Sequence, residues 1–278
     1  NEINLDEIQI GDYVNYTYDI DSASSSYTLE SKYSGYSSNQ TIAQTTGLTW
    51  KVLNVDKEND TVDIISTNPT SSTVTFANIL GYNNGPYLMN EICKAQYSNK
   101  TLGVNARSIN LLDMEKHLTP TGITNRNAYT DAVKYGTTKT YTSNTKYPSL
   151  YANQKGAGPN ITAANASTIS QPDITKGNDP YEESKPIATT EPTTDNTSGT
   201  GNPLVPKGTT EPTTSSTYGT GSPLTVTQTR YDITINAINY GDVGSVLGNS
   251  SWYWVASRCV FTESGDAGFG LRSAGAYT

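Results

Sequence analysis

The sequence predicts a mixed α+β fold, and three observations carry that expectation. Leu48, Trp50, Val52 and Val55 run into the polar stretch Asp56-Lys57-Glu58-Asn59-Asp60, and Val62, Ile64 and Ile65 follow it, the pattern of a β-hairpin with alternating faces. Leu88, Met89, Ile92, Cys93 and Tyr97 recur at helical spacing. Trp252, Trp254 and Ala256 alternate with Tyr253, Val255 and Ser257, a strand apolar on both faces.

The remaining elements are read in order. Ile8, Ile10, Tyr13 and Tyr16 around Gly11-Asp12 predict a strand, a turn and a second strand. Residues 21–46 are rich in Ser, Tyr and Gln with little apolar periodicity, so a long exposed loop is expected. Thr73-Val74-Thr75-Phe76 reads as a short strand, and Asn83-Asn84-Gly85-Pro86 as a turn that starts the helix carrying Cys93. Asn110 lies three residues before Asp113, an approximate capping box for a helix that runs through Leu118 and stops at Pro120. His117 is expected at a solvated helix end, where the helix dipole favours a cation. A third short helix is expected over 126–135 around Ala128 and Val133. Beyond the insertion, Leu224 to Thr229 predicts a strand, Val243, Val246 and Leu247 a turn or two of helix, and Gly268 to Arg272 a last strand with a bulge at a glycine.

Domain organisation follows composition. Residues 1–155 and 223–278 supply the core, and 156–222 form an insertion dominated by Ser, Thr, Asn, Gly and Pro. Within it Thr189-Thr190-Glu191-Pro192-Thr193-Thr194 recurs as Thr209-Thr210-Glu211-Pro212-Thr213-Thr214, a period of 20 residues. Two copies are too few for a solenoid, and such a segment cannot bury a core of its own. A flexible loop, a hydroxyl-rich glycosylated stalk and an arm that orders against a partner all fit it.

The chain has 278 residues, of which 34 % are hydrophobic and 16 % charged. Both shares lie below the roughly 45–50 % and 25 % of an average globular protein. Tyr outnumbers Phe 20 to 3, so most aromatic rings carry a hydroxyl that tolerates water. A net charge of −8 with scattered basic residues argues against a phosphate-binding surface, and so against nucleic acid. No run approaches the ~18 apolar residues of a membrane span. The chain starts at Asn1 rather than Met, which predicts a cut or processed start. Low charge, many hydroxyls and few Cys and Met together point to an extracellular, cell-surface location.

The chemistry-bearing residues are sparse. One His and two Cys exclude a Cys/His zinc site by count, and no Asp-rich calcium loop is present. No nucleophile–base pair or clustered acidic pair is apparent, so no catalytic residue, cofactor or metal is assigned. Cys93 and Cys259 read as a single disulfide of a secreted chain, as two buried free thiols, or as a reactive nucleophile for which no local Cys–His pair speaks. A bridge over so long a loop is worth about 4–5 kcal/mol in the chain-entropy model. Trp252 and Tyr253, with Asp266 and Arg272, are candidates for ligand contact, and core packing is the competing reading of each Trp.

Trp254-Val255-Ala256-Ser257-Arg258-Cys259 followed by Phe269-Gly270-Leu271-Arg272 resembles a family of secreted or surface-anchored proteins of Gram-positive gut anaerobes. That family is related to the Fibrobacter succinogenes major paralogous domain and, distantly, to C-type-lectin-like and formylglycine-generating-enzyme-like folds. Ile10 to Val14, Trp50 to Leu53, Gly81 to Gly85, Ala106 to Asn110 and Tyr141 to Ala152 resemble its recurring blocks. The resemblance covers roughly residues 8–155 and 222–274 and leaves the Thr/Pro repeat outside. It implies a C-type-lectin-like core and, because the family's two Cys fall at Cys93 and Cys259, a disulfide between them. The cysteine pair of the enzyme-like relatives is not matched, so no catalytic role carries over. Family members usually continue past the Phe-Gly-Leu-Arg strand, so the resemblance implies an incomplete sheet with an open edge.

Two functions are therefore expected. The first is an exported structural protein that self-assembles with copies of itself, of pilus, filament or surface-layer type, by strand or arm exchange. The alternative is a lectin-like binding or adhesion module that recognises glycans or host surfaces. An enzyme is not expected.

Overall fold

The computed structural model describes residues 4–19, 23–131, 133–142, 145–148, 218–221, 224–262 and 267–275. The predicted insertion at 156–222 lies outside these residues except for the short stretch at 218–221. Helices and antiparallel sheets are both present, which makes the fold α+β.

The first predicted strand is replaced by turns. Gly11 adopts a positive φ of 92°, which L side chains resist, and only β1 (Tyr13–Val14) is extended. Ile10 still packs on the core. Residues 21–46 are not an exposed loop. Within them β2 (Ser26–Leu29) pairs with β3 (Gln40–Ala43) across the short helix α1 (Ser31–Ser34). Two side chains, Leu29 and Ile42, anchor this hairpin in a cluster with Leu88 and Ile92. Two buried residues are too few to give a periodic signal.

The central hairpin forms as predicted. β4 (Trp50–Asp56) and β5 (Thr61–Ser66) pair antiparallel around a turn in which Asp56 accepts from the backbone of Glu58 and Asn59. β1 pairs with β4 on the other side, so the sheet order is β1-β4-β5.

Thr73 to Phe76 is not a strand, and Asn83 to Pro86 is not a turn. A single helix, α2 (Asn78–Tyr97), runs 20 residues through Pro86. Proline removes the N–H that would bond the carbonyl four residues earlier, that of Tyr82. Arg258 fills the gap, its Nε donating to the Tyr82 carbonyl at 2.6 Å. Gly85 lets the Leu271 side chain pack close, since a Cβ there would come within 2.4 Å of its Cδ1.

α3 (Leu111–Glu115) carries the predicted capping box: Asn110 accepts from the Asp113 N–H, and the Asp113 carboxylate accepts from the Asn110 N–H. It ends before Leu118. Pro120 opens α4 (Pro120–Ala128) at its first position, where a missing N–H costs nothing, instead of merely stopping the preceding helix. The helix expected at 126–135 therefore begins and ends earlier. β6 (Thr130–Asp131) and β7 (Val133–Lys134) pair after it. His117 is half-buried rather than solvated. Its Nε2 has no hydrogen-bond partner, and burial lowers its pKa below the usual 6.5.

β8 (Thr138–Tyr141) and β9 (Thr145–Pro148) lead up to the insertion, and β10 (Tyr218–Gly221) and β11 (Leu224–Thr227) follow it. β9 pairs with β10 and β8 with β11, which ties the two ends of the insertion together. α5 (Ala237–Tyr240) and α6 (Val243–Leu247) precede the long antiparallel pair β12 (Tyr253–Thr262) and β13 (Ala267–Ala274). The register irregularity in that pair falls between Val255 and Arg258, not at a glycine. There the Ala256 N–H donates to the Ile109 carbonyl, and the Ser257 hydroxyl accepts from the Leu111 N–H. The main core joins Leu53, Met114, Tyr240, Val243, Leu247 and Val255, so residues before and after the insertion share it.

Candidate functional site

A groove of about 530 Å³ opens beside the three-stranded sheet, within the usual volume range of ligand pockets. Five of the six residues of β5, from Val62 through Ser66, line it. α2 contributes Met89, Ile92, Cys93 and Tyr97. The irregular segment 104–109, the start of β12 and the end of α6 also line it.

Aromatic rings shape this groove, and most are fixed by specific contacts. Trp50 meets Tyr16 edge-on at 5.0 Å between ring centroids, and the Tyr16 hydroxyl donates to the Tyr97 carbonyl at 2.6 Å. Trp254 donates its indole N–H to the Val74 carbonyl at 2.9 Å and meets Phe76 edge-on. The Tyr253 hydroxyl donates to the Leu247 carbonyl at 2.9 Å, and burial raises its pKa. Trp252 differs from the others. It is 60 % exposed, and its ring lies over Gly275, where a Cβ would come within 2.7 Å of it. One side of the indole is thus backed by the chain while much of the ring faces outward.

Charge in the groove is internally paired. Arg107 donates to both carboxylate oxygens of Asp113, at 2.5 and 2.7 Å. Asp63 accepts from Lys116 and from the Asn54 amide, each at 3.1 Å. Cys93 carries no charge to spend. Burial pushes its thiol up to about 12, against the partial counteraction of Arg107. It is a neutral thiol at ordinary pH, unsuited to nucleophilic chemistry.

The candidate residues do not all come together. Trp252 and Tyr253 line the groove as one site. Arg272 lies elsewhere, buried, with its Nη2 donating to the Thr229 carbonyl and its guanidinium 4.9 Å above the Tyr231 ring. Tyr231 in turn donates to Glu115 at 2.7 Å, and Arg126 pairs with the same carboxylate. Arg272 therefore belongs to a buried network and is not a ligand contact of the groove. Asp266 lies outside the described residues.

The expected bridge between Cys93 and Cys259 is not formed, and both are free thiols. Cys93 faces the groove from α2. Cys259 sits in β12 opposite Gly270 and is not among the groove residues, so the two thiols serve different surroundings.

The edge of β5, the Arg107–Asp113 pair and the Gly275 support of Trp252 were not marked out by sequence. The capping spacing flagged Asp113 only as a helix cap. Among the described residues no group of three or more His, Cys, Asp or Glu side chains is placed to hold a metal ion. No helix of the described residues is long and apolar enough to cross a membrane. Comparison with known proteins finds no matching family model, no similar curated protein and no similar solved structure.

Proposed function

We propose that the chain is an exported surface module, with a C-type-lectin-like core, that works by binding in the groove beside β5 and not by catalysis. The observation that carries this reading is the convergence of Trp50, Trp252, Tyr253 and Trp254 on one groove whose charged groups already satisfy one another. A site built for proton transfer or nucleophilic attack keeps a titratable group poised and available. A site built for recognition instead presents apolar and aromatic area with a few fixed polar groups.

The three tryptophans make binding visible as a change in intrinsic fluorescence. Titrating the whole protein with soluble glycans and with short extended peptides is expected to shift that emission for at least one class. Trp252→Ala is expected to weaken the response about tenfold or more, the loss of an anchoring ring worth about 1–2 kcal/mol. If neither class gives a response, and negative-stain electron microscopy shows the native protein as ordered filaments or a lattice, the binding reading fails. The protein is then a self-assembling structural subunit.

A further inference from the structure

β5 is the outer strand of its sheet, and among the described residues it pairs with β4 alone. Its hydrogen-bonding phase is fixed at its end, where the Thr67 N–H donates to the Thr49 carbonyl at 2.8 Å. In an antiparallel pair, alternate residues turn their N–H and C=O groups to opposite edges. The backbone groups of Val62, Ile64 and Ser66 therefore point away from β4. The opposite strand agrees: Val52, paired with Ile64, turns its own N–H and C=O to Asp12 and Gly11 on the β1 side. Val62, Ile64 and Ser66, whose outward backbone groups have no strand partner among the described residues, all line the groove.

Exposed edges in proteins are usually guarded by Lys, Pro or a bulge on the edge strand. β5 reads Thr-Val-Asp-Ile-Ile-Ser and carries neither Lys nor Pro. The register irregularity of this hairpin lies on the β4 side, where Leu53 is skipped, so β5 itself is regular. Its single charge, Asp63, is already held by Lys116 and Asn54. A compact apolar ligand would cover the walls but leave the backbone donors and acceptors of the edge unmatched. An extended peptide matches both, because its own backbone repeats every two residues while alternate side chains cover the apolar lining.

We propose that the edge of β5 accepts an extended segment of a partner polypeptide as a fourth strand, paired through the backbone groups of Val62, Ile64 and Ser66. This rests on the reading of the groove as a binding site and names its ligand class.

The test uses the whole protein and the probe peptide Thr-Val-Thr-Val-Thr-Val-Thr, followed by residue-resolved amide hydrogen exchange. The expected result is protection by about tenfold or more of the Val62, Ile64 and Ser66 amides, with Thr61, Asp63 and Ile65 unchanged. The same peptide with alternate backbone nitrogens methylated keeps its apolar area but loses the edge pairing, and is expected not to bind. Ile64→Pro removes an outward N–H that β4 does not use, so it is expected to abolish peptide binding while the β4 amides stay protected. Equal binding of the methylated peptide, or fluorescence change without the alternating protection, overturns strand addition and leaves the groove a binding site. Binding of glycans alone does the same. Alternating protection that rises with protein concentration in the absence of peptide assigns the edge to a second copy and overturns a partner segment. Silence of every probe removes both this proposal and the binding reading beneath it.

Discussion

Gly275 and Trp252 show how one missing side chain can position another. Because a Cβ at position 275 would come within 2.7 Å of the indole, Gly275→Ala is expected to shift the ring, altering fluorescence and ligand response with little change in Tm. Arg258 is a second case. Its Nε is the acceptor's replacement partner at the Tyr82 carbonyl, so Arg258→Met leaves a buried carbonyl without that donor. A loss of about 1–3 kcal/mol is expected in chemical denaturation. His117 supplies a pH signature. Its folded pKa lies below the unfolded value of 6.5, so the unfolded chain takes up the proton first as pH falls. Its contribution to stability is complete above 6.5 and declines as the pH drops from there towards the folded pKa. His117→Gln is expected to flatten the difference between Tm values measured at pH 7.5 and pH 5.5.

At the scale of elements, Leu29 alone shows how much of the hairpin β2–β3 hangs on one buried side chain. It has no exposed surface, and Leu29→Ala is expected to cost about 2–5 kcal/mol in denaturant unfolding. That hairpin was invisible to periodicity because its anchors, Leu29 and Ile42, sit among Ser, Tyr and Thr. By contrast, β4–β5, α3 with its cap, α6 and β12 were legible, since each carries either strict alternation or a local hydrogen-bonding signature. α2 was read too short because Asn83 to Pro86 has the composition of a turn that starts a helix, and the bond from distant Arg258 to the Tyr82 carbonyl is not visible locally. The groove was half legible: Trp252 and Tyr253 stood out as aromatic neighbours, but nothing local in 61–66 says that the strand pairs with β4 alone among the described residues. Arg272 was misplaced for the same reason, because its ring partner Tyr231 lies far away in sequence.

At the scale of the whole molecule, the insertion is set off by its own anchoring. Pro148 and Tyr218 are cross-strand partners, so a short Gly/Asn linker in place of residues 149–217 is expected to join β9 and β10. The β9 and β10 amides of that shortened protein are expected to keep their protection in hydrogen exchange. The bond between Tyr82 and Arg258 has a further consequence, in the order of events during synthesis. The segment holding α2 leaves the ribosome long before the residue that completes its backbone. Contacts so distant in sequence slow folding and keep early intermediates open. The amino-terminal half is thus a waiting structure, and a nascent chain arrested short of β12 is a fair substrate for chaperones and proteases.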